Sequence, residues 1–346
     1  MLTNCHRKRL HYKNDKQMKE DKVLRVGIVG AGRIAAVAAK TLNAMQECEA
    51  YAIGSRQQEK ADAFAREWNM PKAYGSYSEL IADADVDLLY IATPHSHHYD
   101  VTREALLAGK PCLVEKSFMA NYKEAKAVVD LARERKVFLA EAIWTRYQPA
   151  VQIVKQLIDD GRIGDLQLIT ATLCYPISQK PRILNPDLCG GALLDLGIYC
   201  LHFARMFCPS EVVGIEGRCV KSETGVDQTN TILLTMQNGV VANMQSSVMC
   251  VGDNRGVLSG SKATIVIDDI NNPQRITLNT REQQAVEDIR VPQQITGYEY
   301  EFLACRQALL DGLLEPREIP LEETLYLMEM MDQLRKQWNV RYPMDE

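Results

Sequence analysis

The sequence has no internal repeat, no low-complexity tract and no run of apolar residues near the roughly 20 that a membrane-spanning helix requires. It also lacks the apolar stretch of a signal peptide, so no membrane partner is expected. No excess of basic charge is present either: 40 Lys and Arg stand against 45 Asp and Glu, a formal net charge of -5. A protein that neutralises phosphates would carry the opposite balance, so no nucleic-acid partner is expected. Ten cysteines occur, but none forms a Cys-x-x-Cys pair. Scattered single thiols in a chain of this size suit a reducing compartment, and the expectation is a cytoplasmic protein.

What is present is ordinary globular composition, 46% hydrophobic and 25% charged over 346 residues. That length exceeds the roughly 250 to 300 residues at which one hydrophobic core stops growing, which predicts two domains. The first 22 residues hold seven Lys or Arg against three Asp or Glu and few apolar side chains. They predict a disordered tail over 1–22.

From residue 23 to about 142, short apolar runs at 24–29, 50–53, 88–92, 112–114 and 137–140 alternate with longer helix-forming segments at 33–45, 57–68, 98–108 and 121–135. Short buried strands separated by helices of crossover length predict a doubly wound parallel sheet, a Rossmann-type α/β fold. Beyond residue 143 the texture changes. Helices are expected at about 149–158 and 192–206, then strand-like runs at 212–220, 229–236, 240–248, 263–267 and 274–278, and two closing helices at about 298–310 and 321–338. Strands in succession imply a large, mostly antiparallel sheet in an α+β domain spanning 143–346. Asn238-Gly239 between two of the runs predicts a tight primed hairpin turn.

The segment Gly30-Ala31-Gly32-Arg33-Ile34-Ala35 follows the first apolar run and opens the first helical one. It fits the G-x-G-x-x-G/A fingerprint, in which the first glycine allows the turn, the second admits a pyrophosphate and the third small residue packs helix on sheet. A helix N-terminus adds free N–H groups and a favourable dipole. Gly30, Gly32, Arg33 and Ile34 are therefore expected at a dinucleotide. The second strand ends in Ser55-Arg56, with no acidic residue for a ribose 2'-hydroxyl. An arginine there suits a 2'-phosphate, so NADP is expected in preference to NAD, which stays possible. His95, His97 and His98 have no neighbouring Cys or carboxylate cluster at ligand spacing, and no metal is expected.

Four further motifs follow in order: Thr93-Pro94-His95-Ser96-His97-His98, Glu115-Lys116, Glu141-Ala142-Ile143-Trp144-Thr145-Arg146, and Gly190-Gly191-Ala192-Leu193-Leu194-Asp195-Leu196-Gly197-Ile198-Tyr199. With these the sequence resembles the Gfo/Idh/MocA oxidoreductases, most of all the branch of dimeric dihydrodiol dehydrogenases and glucose-fructose oxidoreductases. The resemblance implies hydride transfer between a nicotinamide and a secondary alcohol of a sugar, sugar derivative or trans-diol. It also implies a C-terminal sheet that covers the site and builds a homodimer or homotetramer.

By the same resemblance Lys116 is the catalytic lysine, and Asp195 with Tyr199 matches the family's Asp-x-x-x-His/Tyr pair. Thr93, Pro94, His95, His98 and Glu115 would line the cofactor, Trp144 and Arg146 would stand beside cofactor and substrate, and Tyr175 and Arg182 would shape the substrate pocket. Read from the residues, Lys116 falls at the carboxyl edge of the sheet, where open α/β sheets bind ligands. Asp195 and Tyr199, four apart, share one helix face. A free tyrosine titrates at about 10, and a neighbouring Lys116 cation is expected to lower that value and ready Tyr199 to accept the alcohol proton. One residue departs from the pattern: Ser117 stands where the family usually has proline, so the position of Lys116 is open. Two other functions fit the same fold, a non-catalytic sensor or repressor that binds cofactor and sugar, and a glycosidase using tightly held NAD.

Overall fold

The structure is a computed structural model and describes residues 22–280 and 285–346. The tail expected over 1–22 lies outside the described residues except for Lys22, which is already part of the fold through an ion pair with Asp87.

The first half of the chain forms β1 (Leu24–Val29), α1 (Arg33–Asn43), β2 (Cys48–Gly54), α2 (Gln58–Glu67), β3 (Lys72–Tyr74), α3 (Tyr77–Ala82), β4 (Leu88–Ile91), α4 (His98–Leu107), β5 (Cys112–Glu115), α5 (Tyr122–Arg135) and β6 (Leu139–Ala142). The strands pair in parallel in the order β3-β2-β1-β4-β5-β6. Strands such as β4 are buried along their whole length, which is why they read as unbroken apolar runs. Ala35, Ala38, Ala39 and Leu42 give α1 a single apolar stripe toward the sheet. Sequence reading passed over β3 and α3, because three half-buried edge residues carry no apolar run. The strand order reverses between β1 and β4, and the crevice at that switch point is where such sheets bind ligands.

The second half forms α6 (Pro149–Asp159), β7 (Leu166–Cys174), α7 (Ile198–Phe207), β8 (Val212–Lys221), β9 (Asp227–Met236), β10 (Val241–Ser247), β11 (Gly256–Gly260), β12 (Ala263–Asp268), β13 (Arg275–Thr280), β14 (Ala285–Arg290), α8 (Glu299–Leu310) and α9 (Leu321–Trp338). Its eight strands run β14-β13-β12-β11-β7-β10-β9-β8. Only the β7–β10 pair is parallel. β7, absent from the expected strands, lies inside the sheet, with Ile169, Ala171 and Leu173 buried on alternate positions. The hairpin between β9 and β10 is present, but its turn differs from the expected primed type. Gly239 alone has positive φ, Gly239 N donates to Met236 O, and Met236 N donates to Val240 O, so three residues rather than two close the loop.

The helix expected at 192–206 is two elements, a π-helical turn Leu193–Gly197 running into α7. Such turns recur at functional sites. Pro186–Phe207 is apolar enough by length and composition to cross a membrane, yet 89% of its most apolar window is buried in the protein core. α8 returns to the first half of the chain, where Phe302, Cys305 and Ala308 join the core built on Leu24, Val26 and Ile28. Phe302 packs edge-on against Tyr90 of β4, with ring centroids 5.4 Å apart.

Gly256 on β11 lets α7 lie on the sheet, since a side chain there would occupy the space of the Phe203 ring. Gly256→Ala is therefore expected to cost about 1–3 kcal/mol by overpacking, read as a lower urea midpoint at an unchanged m-value.

Candidate active site

The glycine turn closes the carboxyl end of β1 against β4. Gly30 has a φ of +100°, and a Cβ on it would lie 3.1 Å from Ala92 O, so only glycine fits the turn. Gly32 has open space where a Cβ would project and stands at the N-cap of α1, whose N-terminus carries no side-chain cap. Free N–H groups facing a cleared approach fit a dinucleotide pyrophosphate. Arg33 and Arg56 are exposed, Ile34 is half-buried, and Ser55 is buried with its N–H on Tyr74 O. No carboxylate stands at the end of β2.

The loops after β4 and β5 face this turn. His95 is buried, with Nδ1 3.1 Å from Cys189 O. Burial, with His98, Lys116 and Arg182, pushes its pKa down to about 3, so the ring is neutral. Thr93 is buried and its hydroxyl has no protein partner. His98 is a correction to the expected cofactor contact. It is fully enclosed, with Nε2 2.9 Å from Thr93 O and Nδ1 3.0 Å from both Ser117 O and Phe118 O. Both ring nitrogens face main-chain carbonyls, the protonated one donating, and His98 braces the two loops instead of facing the crevice.

Lys116, just after β5, meets Asp195 in the turn before α7. Lys116 Nζ donates to Asp195 O at 2.9 Å and to Oδ1 at 3.3 Å, and Arg182 Nη1 donates to the same Oδ1 at 2.9 Å. Burial pushes the Asp195 carboxyl up, but Lys116, Arg182 and His95 overrule it and hold it well below the usual carboxylate range. Two cations on one carboxylate leave a net positive charge, which suits an oxygen that gains negative charge in a reaction. The Lys116-Ser117 peptide is cis although no proline is present, and Ser117 Oγ donates to Leu194 O at 2.7 Å.

Tyr199 completes the group in an unexpected ionisation state. Lys116 Nζ lies 5.2 Å from the centroid of its ring. Trp144 Nε1 donates to the Tyr199 hydroxyl at 2.9 Å. Burial, then Tyr298 and Glu115, push the phenol well above 10, against the lowering expected from Lys116. The cation is committed to Asp195 and faces the ring, so Tyr199 is a neutral phenol here. Trp144 in turn stacks on Tyr298 at 4.2 Å and 5°, and Gly297 is a glycine because a Cβ would lie 2.6 Å from the Trp144 ring.

Arg146 is the second correction. It is buried, with Nε donating to His202 Nδ1 at 2.9 Å and Nη2 to Glu323 Oε1 at 2.9 Å, so α7 and α9 take up its charge. Tyr175 makes its hydrogen bond outside the Lys116 group, to Asn271 Oδ1 at 3.2 Å.

Behind Lys116 lie two buried carboxyl groups, Glu115, which the resemblance put along the cofactor, and Glu301, which the sequence motifs did not place. Glu115 accepts from Tyr90 Oη and from Lys116 N (3.2 Å), and burial pushes it up to about 7 despite Lys116. Glu301 is fully buried, neither oxygen has a protein partner, and burial with Glu115 nearby raises it well above its ordinary value. A signal for Glu301 existed: with Tyr298, Phe302, Cys305 and Ala308 it falls on the apolar stripe of α8.

Comparison with known proteins shows the family and the fold. Residues 24–142 match the profile described as an oxidoreductase family with NAD-binding Rossmann fold, and 151–266 match a GFO/IDH/MocA C-terminal domain. The chain is 35% identical over 338 residues to trans-1,2-dihydrobenzene-1,2-diol dehydrogenase from Mus musculus, covering 93% of this chain and 99% of that protein. A 3-ketoreductase from Actinomadura kijaniata, in complex with NADP and TDP-benzene, superposes with a TM-score of 0.81 at 28% identity, covering 91% of this chain and 98% of the other. A levoglucosan dehydrogenase in complex with NADH and levoglucosan shares the fold, with a TM-score of 0.83 at 18% identity over 92% of this chain and 98% of the other.

Glu115 makes stability depend on pH with a definite sign. Its folded value is raised above the unfolded one of about 4.3, so its penalty is absent below about pH 4, grows between there and about pH 7, and is constant above that. Gln in its place mimics the protonated form: Oε1 accepts from Lys116 N and Nε2 donates to Tyr90 Oη. Glu115→Gln is expected to be more stable than wild type by on the order of 1–3 kcal/mol at pH 8 and about equal at pH 4, measured by urea titration at both.

Proposed function

The chain belongs to the Gfo/Idh/MocA oxidoreductase family, and on that premise we propose an NADP-preferring dehydrogenase of ring secondary alcohols, trans-diols above all, with Tyr199 handling the alcohol proton. The activity class, an NAD(P)-dependent oxidoreductase acting on a CH–OH group of a sugar or diol, follows from the family and its relatives. The observation that carries the finer reading is the convergence of Lys116, Asp195 and Tyr199 at the carboxyl edge of the nucleotide sheet, beside the Trp144–Tyr298 stack.

When bound, the nicotinamide supplies the hydride acceptor or donor. Gly30, Gly32 and the N-terminus of α1 would hold the pyrophosphate, and Arg56 with Ser55 the adenosine 2'-phosphate. Lys116 donates to the reacting oxygen and stabilises negative charge on it. Asp195 holds Lys116 and Arg182 at that position. Tyr199, a neutral phenol whose oxygen is oriented by Trp144, would give its proton to a carbonyl oxygen in reduction, and in oxidation would take the alcohol proton as phenolate, after losing its own to solvent. The flat Trp144–Tyr298 wall excludes water and offers an apolar plane to a ring substrate.

The open face of the eight-stranded sheet exposes Val213, Leu233 and Val220. We place the contact of a homodimer or homotetramer there, and the protein in the cytoplasm, a reading that rests on its scattered thiols.

Purified protein is expected to reduce NADP with trans-cyclic diols or aldoses, followed by the absorbance of reduced nicotinamide. Oxidation should quicken as pH rises into the alkaline range, because the raised Tyr199 phenol loses its proton only there. Tyr199→Phe should lower kcat by about 10²- to 10⁴-fold. Arg56→Ala should lower the NADP-to-NAD ratio of kcat/KM by about 10- to 100-fold, the worth of one charge-assisted hydrogen bond. Glycoside cleavage with retained cofactor and no net redox turnover would overturn the dehydrogenase, and cofactor and sugar binding with neither reaction would leave a sensor.

A further inference from the structure

The π-helical turn Leu193–Gly197 carries Asp195, and groups from both domains grip its backbone. From the sheet, Asp227 Oδ2 accepts from Leu193 N at 2.8 Å and from Asn230 Nδ2 at 2.8 Å. From the nucleotide domain, Lys116 Nζ takes Asp195 O at 2.9 Å and Ser117 Oγ takes Leu194 O at 2.7 Å. Ser117 is fully buried, and its own carbonyl lies 3.0 Å from His98 Nδ1, whose other nitrogen reaches Thr93 O. A line of close contacts therefore runs from the end of β4 through the His98 ring and residue Ser117 to the turn that bears Asp195.

We propose that Ser117 is a positioning residue for hydride transfer: its hydroxyl ties the cofactor domain to the catalytic turn and sets where Asp195 and Tyr199 stand relative to the nicotinamide. The proposal rests on the dehydrogenase reading above. Lys116 alone does not fix the turn, because a flexible ammonium reaches Asp195 O and Oδ1 over a range of chain positions. The serine hydroxyl has one rotatable bond and a buried acceptor, so it sets the distance between the two backbones. A proline or alanine at 117 would have no such donor, so the tie depends on the serine side chain.

A shift of about 1 Å between reacting groups costs on the order of 100-fold in rate. Ser117→Ala, which removes only the hydroxyl, is therefore expected to lower kcat for diol oxidation by about 10- to 100-fold. NADPH affinity, followed by its fluorescence, should stay within about threefold. Ser117→Thr, which keeps the hydroxyl, should recover most of the loss. If the alanine variant does not fold, Ser117→Cys, similar in size and a weak donor, is read in its place with the same expectation.

An unchanged kcat in the hydroxyl-free variant overturns the proposal. So does a loss of kcat matched by an equal loss of NADPH affinity, which would make Ser117 a residue of cofactor binding. Wild-type protein is assayed first: if it oxidises no diol or sugar, the dehydrogenase reading fails and this inference falls with it. Turnover by wild type and by Ser117→Ala alike removes the inference only.

Discussion

The contact between Lys116 and Asp195 joins residues 79 positions apart in the chain, one at the edge of the parallel sheet and one in the turn before α7. Both side chains are largely buried, 14% and 5% exposed, so neither charge is left to water. A charge in such a place is tolerated only when it is paired and hydrogen-bonded, and removing one partner strands the other. The rest of the site follows from satisfying that condition. Arg182 adds a second cation to Asp195, His95 stays neutral beside them, and the π-turn offers its carbonyls to Lys116 and Ser117.

Behind this pair the protein stores carboxyl groups where they are hard to ionise. Glu115 has hydrogen bonds to both oxygens and Glu301 has none within the protein, and two facing buried carboxyls do not both ionise readily. Ionised Glu115 lowers the positive field that Lys116 projects, and it also holds the Tyr199 phenol up. The proton on Tyr199 is thus governed from behind the site as well as by its own burial.

Much of the first domain was legible because its signals are local. A strand buried on both faces reads as an apolar run, and the glycine turn between such a run and a helix carries its meaning within six residues. The second sheet was legible in outline only. β7 went unread although it lies inside the sheet, because its alternating pattern of half-buried threonines and apolar residues resembles a surface segment. α8 looked like the closing helix of the second domain, yet its apolar stripe covers the first sheet. Continuity along the chain does not report which layer a helix reaches.

By itself the sequence determined the residue types at the site and their order: the glycine turn, Lys116, Asp195 and Tyr199, with no carboxylate at the end of β2. It did not determine their states or partners. Tyr199 is neutral, His98 braces two loops, Arg146 is consumed by His202 and Glu323, and Ser117 reaches Leu194 O. Each of these depends on desolvation and on groups brought in from distant segments, up to 177 residues away for Arg146 and Glu323. Ionisation and hydrogen bonding are set by what surrounds an atom in space, and only the packing of the two domains supplies that surrounding.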